Sequence, residues 1–177
     1  LLVMLVVFGG FIAAGVPLIG AIAAIIGALG ALFRISHLMD IDTTVINVIT
    51  AVGLGLSIDY GLLMVSRFRE EYRSALAGHP GADRRTLKLG AIARTADTAG
   101  RTVLYSGTTF AIASLGLLVF EPRLVRAIGV GALSVTAIAL ASALTLVPAL
   151  LGIAGDRLVR PGVLTRLPLV GRAITRF

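Results

Sequence analysis

The chain contains no cysteine, and only 14% of its 177 residues are charged. The absence of cysteine excludes disulfide bonds and cysteine-ligated metal sites. There is also no GxxxxGK[ST] motif, so nothing in the sequence predicts ATP-driven chemistry. The two histidines, His37 and His79, stand alone in polar segments, which argues against a metal site. We therefore predict that the chain uses no metal and no cofactor.

Charge is missing altogether from residues 1–33, and hydrophobic residues make up 57% of the chain. The mean hydropathy is +0.99. Such a composition is typical of polytopic membrane proteins. Acidic residues are scarce, nine against sixteen basic ones, but the basic residues cluster beside apolar segments instead of alternating with aromatic residues. This distribution predicts membrane anchoring and no nucleic-acid partner.

The apolar segments predict an all-α membrane helix bundle with four full transmembrane helices and one truncated helix. About 20 apolar residues cross a bilayer, so residues 1–33 need a break, which we place at Gly9 and Gly10. The predicted helices cover residues 1–8, 11–33, 43–66, 102–120 and 124–151. They form a transmembrane unit over residues 1–155, and residues 156–177 form a basic tail or linker. Because the first helix is too short to span, we expect the chain to be part of a longer protein.

The charges between the apolar segments predict the topology. Residues 67–101 hold eight Arg or Lys against four Asp or Glu, and residues 156–177 hold five Arg and one acid. By the positive-inside rule, both segments are cytoplasmic. A turn signal at Gly78–Gly81 divides the first of them. After it, apolar and basic residues interleaved over 87–96 predict either a helix along the lipid headgroups or a solvated surface helix.

Two further boundaries follow from turn and capping residues. Asp42 or Thr43 is placed to cap the helix that begins at residue 43. The tight Glu121–Arg123 turn, which contains a proline, separates the last two predicted spans on the outer side of the membrane.

Asp59 is the one formal charge between Thr43 and Ser66. A helix over that segment would be roughly 36 Å long, which is enough for a bilayer core. A carboxylate at this depth costs about 2.5–3.5 kcal/mol on insertion scales, so such residues face a bundle interior or a water-filled path. Alternatively, Asp59 forms a permanent ion pair with a buried Arg or Lys. No other predicted span carries a basic residue at matching depth, so we favour a carboxylate that gains and loses a proton.

The residues around Asp59 predict a close helix contact. Ala51, Gly55 and Asp59 are spaced by four, which places small residues along one helix face. Tyr60 follows about 100° round the helix, where its phenol could donate a hydrogen bond to an adjoining helix.

The span over residues 102–120 carries Ser106 and Thr109 within about a turn of the depth of Asp59. Their hydroxyls are either hydrogen-bond partners of the carboxylate or ordinary contacts between membrane helices. The sequence leaves both readings open.

Three ordered motifs carry a family resemblance. They are GLGLSIDYGLLMVSRFREEYR, then TAGRTVLYSGTTFAIASLGLLVFEP, then IGVGALSVTAIALASALTLVPALLG. The chain resembles the first membrane repeat of MmpL-type transporters in the resistance-nodulation-division superfamily, from the end of helix 2 to helix 6. The resemblance implies a twelve-helix pump of the bacterial inner membrane that exports lipids or other hydrophobic molecules by proton antiport. It also implies partners: a second transmembrane repeat, external porter domains and membrane lipids.

The resemblance implies roles for individual residues. Asp59 and Tyr60 match the family's Asp-Tyr pair, and Ser106 matches a serine that flanks the proton path, so these three are the expected proton relay. Gly55 and Thr109 are expected to support it. The chain departs from the family at Gly9 and Gly10, where relatives usually have a basic residue.

Two other functions stay open from the residues alone. One is a sterol-sensing-like lipid-binding module without transport, which would not need a titrating carboxylate. The other is an intramembrane aspartyl protease, which needs two carboxylates at matched depth. The predicted spans offer only Asp59, so we expect the chain not to be an enzyme.

Overall fold

The computed structural model describes residues 11–36, 42–79 and 81–158, which form helices joined by short turns with no strand among them. The helices are α1 (Phe11–Ser36), α2 (Thr43–Gly78), α3 (Arg84–Thr95), α4 (Arg101–Gly116), α5 (Arg123–Ala141) and α6 (Val147–Leu158). The predicted all-α bundle is confirmed. The predicted helix over residues 1–8, the break at Gly9 and Gly10, and residues 159–177 of the tail lie outside the described residues.

Helix α2 begins where the sequence predicts and ends later. The backbone N–H of Thr44 donates to Asp42 Oδ1 at 2.7 Å, which confirms the predicted cap. Hydrogen bonding to Thr44 lowers the pKa of Asp42. The helix continues beyond Ser66 to Gly78 because no breaker intervenes, and Gly81 then turns the chain with φ of 104°.

Helix α3 contains residues 87–95 of the segment predicted at 87–96. It begins at the N-cap Asp83 and continues through a π-helical turn, Ala96–Gly100, into α4. The helical run from Arg84 to Val119 is therefore unbroken. Gly100 does not end it, and a methyl group built on Gly100 would lie 3.5 Å from Leu144. Residues 87–96 pack on α2 and join α4 without a break, and their position relative to the lipid headgroups stays a prediction.

The last run also contains a π-helical turn, Ser142–Leu146, which joins α5 to α6. It starts after Pro122, in the turn predicted at Glu121–Arg123, and reaches Leu158, beyond the predicted end at residue 151. By length and composition, the runs Thr43–Gly78, Arg84–Val119 and Arg123–Ile153 are sufficient to cross a membrane. Helix α1 contributes a shorter apolar segment, Gly15–Ala31.

Helix α2 is central to the packing, with α1, α3, α5 and α6 against it. Two glycines permit the closest approaches. A methyl group built on Gly61 would lie 3.0 Å from the Cα of Pro17 on α1, and one built on Gly53 would collide with Val135 on α5. Small residues at such contacts let membrane helices approach closely.

The end of α2 beyond the span packs into an apolar cluster with α3 and α6. Phe68 and Tyr72 stack with ring centroids 5.5 Å apart, and both are fully buried. Ala91 of α3 and Leu151 of α6 belong to the same cluster. The extension of α2 is therefore held by buried apolar side chains as well as by charges.

Candidate functional site around Asp59

Asp59 lies on an exposed face of α2, in line with Ala51 and Gly55. A methyl group built on Gly55 would meet nothing within 4 Å. Within the described part of the chain, no helix packs closely on this face, and Asp59 has no hydrogen bond or ion pair. The close contact predicted at this stripe is thus not made by the chain's own described helices. In hydrocarbon such a carboxylate needs a covering of protein or water.

Tyr60 lies on a different side of α2 and is 6% exposed. It belongs to the apolar cluster that includes Val16 and Met64. Its phenol oxygen is buried and has no hydrogen-bond partner in the described residues. The structure therefore separates the two side chains of the Asp-Tyr pair, placing one in the bundle and one on its surface.

Ser106 and Thr109 are exposed on α4. Thr109 donates its hydroxyl hydrogen to the Tyr105 carbonyl at 2.9 Å, within its own helix. Helix α5 packs against both α2 and α4, which do not pack extensively on each other. Among the described residues, neither hydroxyl forms a hydrogen bond with Asp59.

The sequence reading missed Ser57. It lies between Gly53 and Gly61 on the face of α2 that packs against α5 and α1, and its Oγ is buried without a partner in the described chain. The spacing of four between these small residues is a sequence signal of close packing. It marks the inner face of α2, whereas Ala51, Gly55 and Asp59 mark the outer one.

Charged residues beyond the span tie α2 to α3. Glu71, whose side chain is 18% exposed, lies 2.9 Å from Arg67 and 2.9 Å from Arg94. Across the described residues no group of His, Asp and Glu is arranged to hold a metal ion.

The apolar helices and the carboxylate at mid-span define a polytopic α-helical membrane protein. The sequence profile of the MMPL family matches residues 1–176. The chain belongs to this family.

Relatives of the chain include a membrane protein of Streptomyces coelicolor, 45% identical over 177 residues, which are 100% of this chain and 23% of that protein. The trehalose monomycolate exporter MmpL3 of Mycobacterium tuberculosis is 35% identical over 95% of this chain and 17% of its own length. The mycolic acid-containing lipids exporter MmpL11 of Mycolicibacterium smegmatis is 30% identical over 88% of this chain and 15% of its own. The chain thus spans less than a quarter of the length of these relatives.

Proposed function

We propose that the protein to which this chain belongs exports lipids or other hydrophobic molecules across the bacterial inner membrane, coupled to proton entry. In this proposal the chain is one transmembrane repeat and carries the proton-accepting carboxylate, Asp59. The second repeat and the external porter domains of the same transporter are its partners, and residues 67–101 with the tail face the cytoplasm. The names of the MmpL3 and MmpL11 relatives, both lipid exporters, support the substrate class.

The position of Asp59 is the observation that carries the proposal. The carboxylate lies in the middle of a span, on a face that the described helices of this chain leave exposed, and it has no cationic partner there. An ionised carboxylate facing hydrocarbon is unfavourable, so a second helix set or a water path must complete this face. Gly55, one turn away, leaves room for such a helix. An unpaired carboxylate at a helix interface is suited to bind and release a proton.

Proton coupling follows from the two charge states. Ionised Asp59 is costly in a low-dielectric bundle, whereas protonated Asp59 is neutral and is itself a hydrogen-bond donor. Its protonation therefore biases the packing of α2 between two arrangements. Each proton that crosses a potential of 100 mV supplies about 2.3 kcal/mol. In this scheme Ser106 and Tyr60 pass the proton, and Thr109 supports the path from α4. None of the three hydrogen-bonds Asp59 within the described residues, so the scheme requires water or the second repeat to connect them.

The test is the Asp59→Asn substitution in the intact transporter, assayed for export in vesicles with an imposed proton gradient. We expect the variant to insert at wild-type level and to lose export, because asparagine has no proton to exchange. Asp97→Asn is the matched control. Asp97 is 66% exposed and pairs with Arg101 at the base of α4, so its loss leaves coupling intact.

Gradient-driven export that persists in the Asp59→Asn variant contradicts proton coupling through this residue. If the variant still binds lipid and the wild type shows no gradient-driven export, the chain serves as a lipid-binding module instead.

A further inference from the structure

Helices α2 and α3 form a hairpin that reaches past the membrane span. Arg67 is the first charged residue after Asp59, and α2 continues from it to Gly78, with α3 packed beside it. From residue 67 to residue 78, a helix rises about 16 Å. The headgroup layer on one side of a bilayer is about 5–8 Å thick. The end of the hairpin therefore stands beyond the headgroups, even at the tilt of about 20° that is typical of membrane helices.

The end of this hairpin, residues 73–90, is here called the hairpin tip, and it is strongly basic. It contains four basic residues and a single acid, Asp83. Asp83 caps α3, where its carboxylate oxygens accept hydrogen bonds from the backbone N–H groups of Arg85 and Thr86. One carboxylate cannot neutralise four cations, so the hairpin tip keeps a net positive charge.

The arginines of the hairpin differ in their ion pairing according to their distance from the span. Those nearer the span each pair with an acidic side chain at 2.7–2.9 Å: Arg67, Arg94 and Arg101. At the hairpin tip, Arg73, Arg84 and Arg85 are exposed and form no ion pair within the described chain. A guanidinium pairs well with a carboxylate, often through two parallel hydrogen bonds. The tip arginines are therefore available to carboxylates from outside this chain.

An exposed apolar side chain lies beside these charges. Leu89 of α3 is 56% exposed. It follows Arg85 by four residues, so the two side chains share one face of the helix. Interfaces between proteins combine an apolar centre with a polar rim and are enriched in arginine. The exposed face of α3 at the hairpin tip has this composition.

We propose that the hairpin tip binds an acidic segment of another cytoplasmic protein, through Arg84, Arg85 and Leu89, with Arg73 adding to the positive potential. Complementary charge selects such a partner. The chain's own tail does not fit, because residues 156–177 hold five Arg and one acid. Lipid headgroups are also anionic, but they lie closer to the span than the hairpin tip does. The inference rests on the cytoplasmic orientation in the proposed function and does not depend on proton coupling.

The experiment is photocrosslinking of the intact transporter in its native cells, with p-benzoylphenylalanine in place of Ala82. Ala82 is exposed at the hairpin tip and is not one of the proposed contact residues. We expect an adduct with one cytoplasmic protein, joined through a segment rich in Asp and Glu. Arg84→Gln combined with Arg85→Gln should lower the adduct yield at least about fivefold, and Leu89→Ala should lower it as well.

Arg101→Gln is the matched control for the loss of charge. Arg101 already pairs with Asp97, so this change should leave the adduct yield within about twofold. A charge exchange makes the test specific. Arg84→Glu combined with Arg85→Glu should abolish the adduct, and replacing two acids of the joined segment by arginine should restore it.

Several results would overturn the proposal. Crosslinking of Ala82→p-benzoylphenylalanine to lipid alone would place the hairpin tip in the headgroup layer. The absence of a protein adduct, or an adduct that the arginine substitutions leave unchanged, would exclude recognition by charge. An adduct with a protein outside the cytoplasm would contradict the orientation. Asp59→Asn should keep the adduct, so failure of the export proposal and failure of this one appear in different measurements.

Discussion

At the scale of single residues, Gly53 and Gly55 have the same side chain and opposite surroundings. Gly53 faces Val135 on α5 so closely that a methyl group has no room, whereas Gly55 faces open space. A substitution at Gly53 therefore tests the packing of α2 within this chain, whereas one at Gly55 tests contacts on the outer face of α2.

Gly53→Ala should destabilise the protein, because the added methyl group displaces Val135 in a packed contact. Overpacking of this kind costs about 1–3 kcal/mol. Thermal unfolding in detergent measures it. Gly55→Ala is the matched control and should unfold no earlier than the wild type, since alanine favours a helix by up to about 1 kcal/mol over glycine. Equal unfolding temperatures for the two variants would contradict the close contact of α2 with α5.

At the scale of helices, the extension of α2 and helix α3 form a pair joined by Glu71. This carboxylate contacts Arg67 and Arg94, while its neighbour Glu70 is 69% exposed and contacts only Arg67 among the described residues. Glu71 therefore links two helices, and Glu70 acts within one.

Glu71→Gln should speed amide hydrogen exchange in α3 more than Glu70→Gln does. Ion pairs of this partly exposed kind contribute about 0.2–1 kcal/mol each, so the effect is a few-fold. The difference should shrink at high salt, because the charges are screened. Equal exchange in the two variants would show that the apolar cluster alone holds α3.

The start of α3 should depend on pH through Asp83. Hydrogen bonds from the Arg85 backbone N–H and then from Thr86 lower the pKa of Asp83 below its ordinary value of 3.8. A lowered pKa means that the cap contributes fully above the unfolded value and is lost as pH falls through the folded one. Protection of the first turn of α3, measured by amide exchange and corrected for its intrinsic pH dependence, should therefore be constant at neutral pH and fall only below about pH 4.

Asp83→Asn is the control, because asparagine caps helices about as well and does not titrate in this range. The variant should keep the cap and lose its pH dependence. The same acid-induced loss in the variant would assign the effect to another group.

At the scale of the whole molecule, the outer face of α2 should be covered by the rest of the transporter. Gly55→Trp in the intact protein is therefore expected to reduce export at least about tenfold, because an indole cannot fit at a close helix contact. Ile26→Trp on α1 is the control, since Ile26 is 66% exposed and we expect it to face lipid. Export that tolerates tryptophan at both positions would contradict a second repeat packed on this face.

Much of the fold could be predicted from the sequence, because a helix that crosses the hydrocarbon core of a membrane must be long and apolar. The cap at Asp42 and the turns at Gly78–Gly81 and Glu121–Arg123 are local signals, and the structure confirms them. Helix ends were less well predicted. Charge marks the edge of the membrane, but backbone hydrogen bonding continues through charged residues, so α2 extends to Gly78 and α3 runs into α4.

The sequence by itself determined a membrane helix bundle with a single carboxylate at mid-span. The length of an apolar segment and the position of a charge within it follow directly from the order of the residues. Only the tertiary structure decided which side of α2 each residue occupies. Tyr60 and Ser57 are buried within the bundle, while Asp59 is exposed on its surface. The physical reason is that α5 packs against Gly53 and α1 against Gly61 on the inner face. Which of the two stripes of small residues is buried therefore depends on helices distant in sequence.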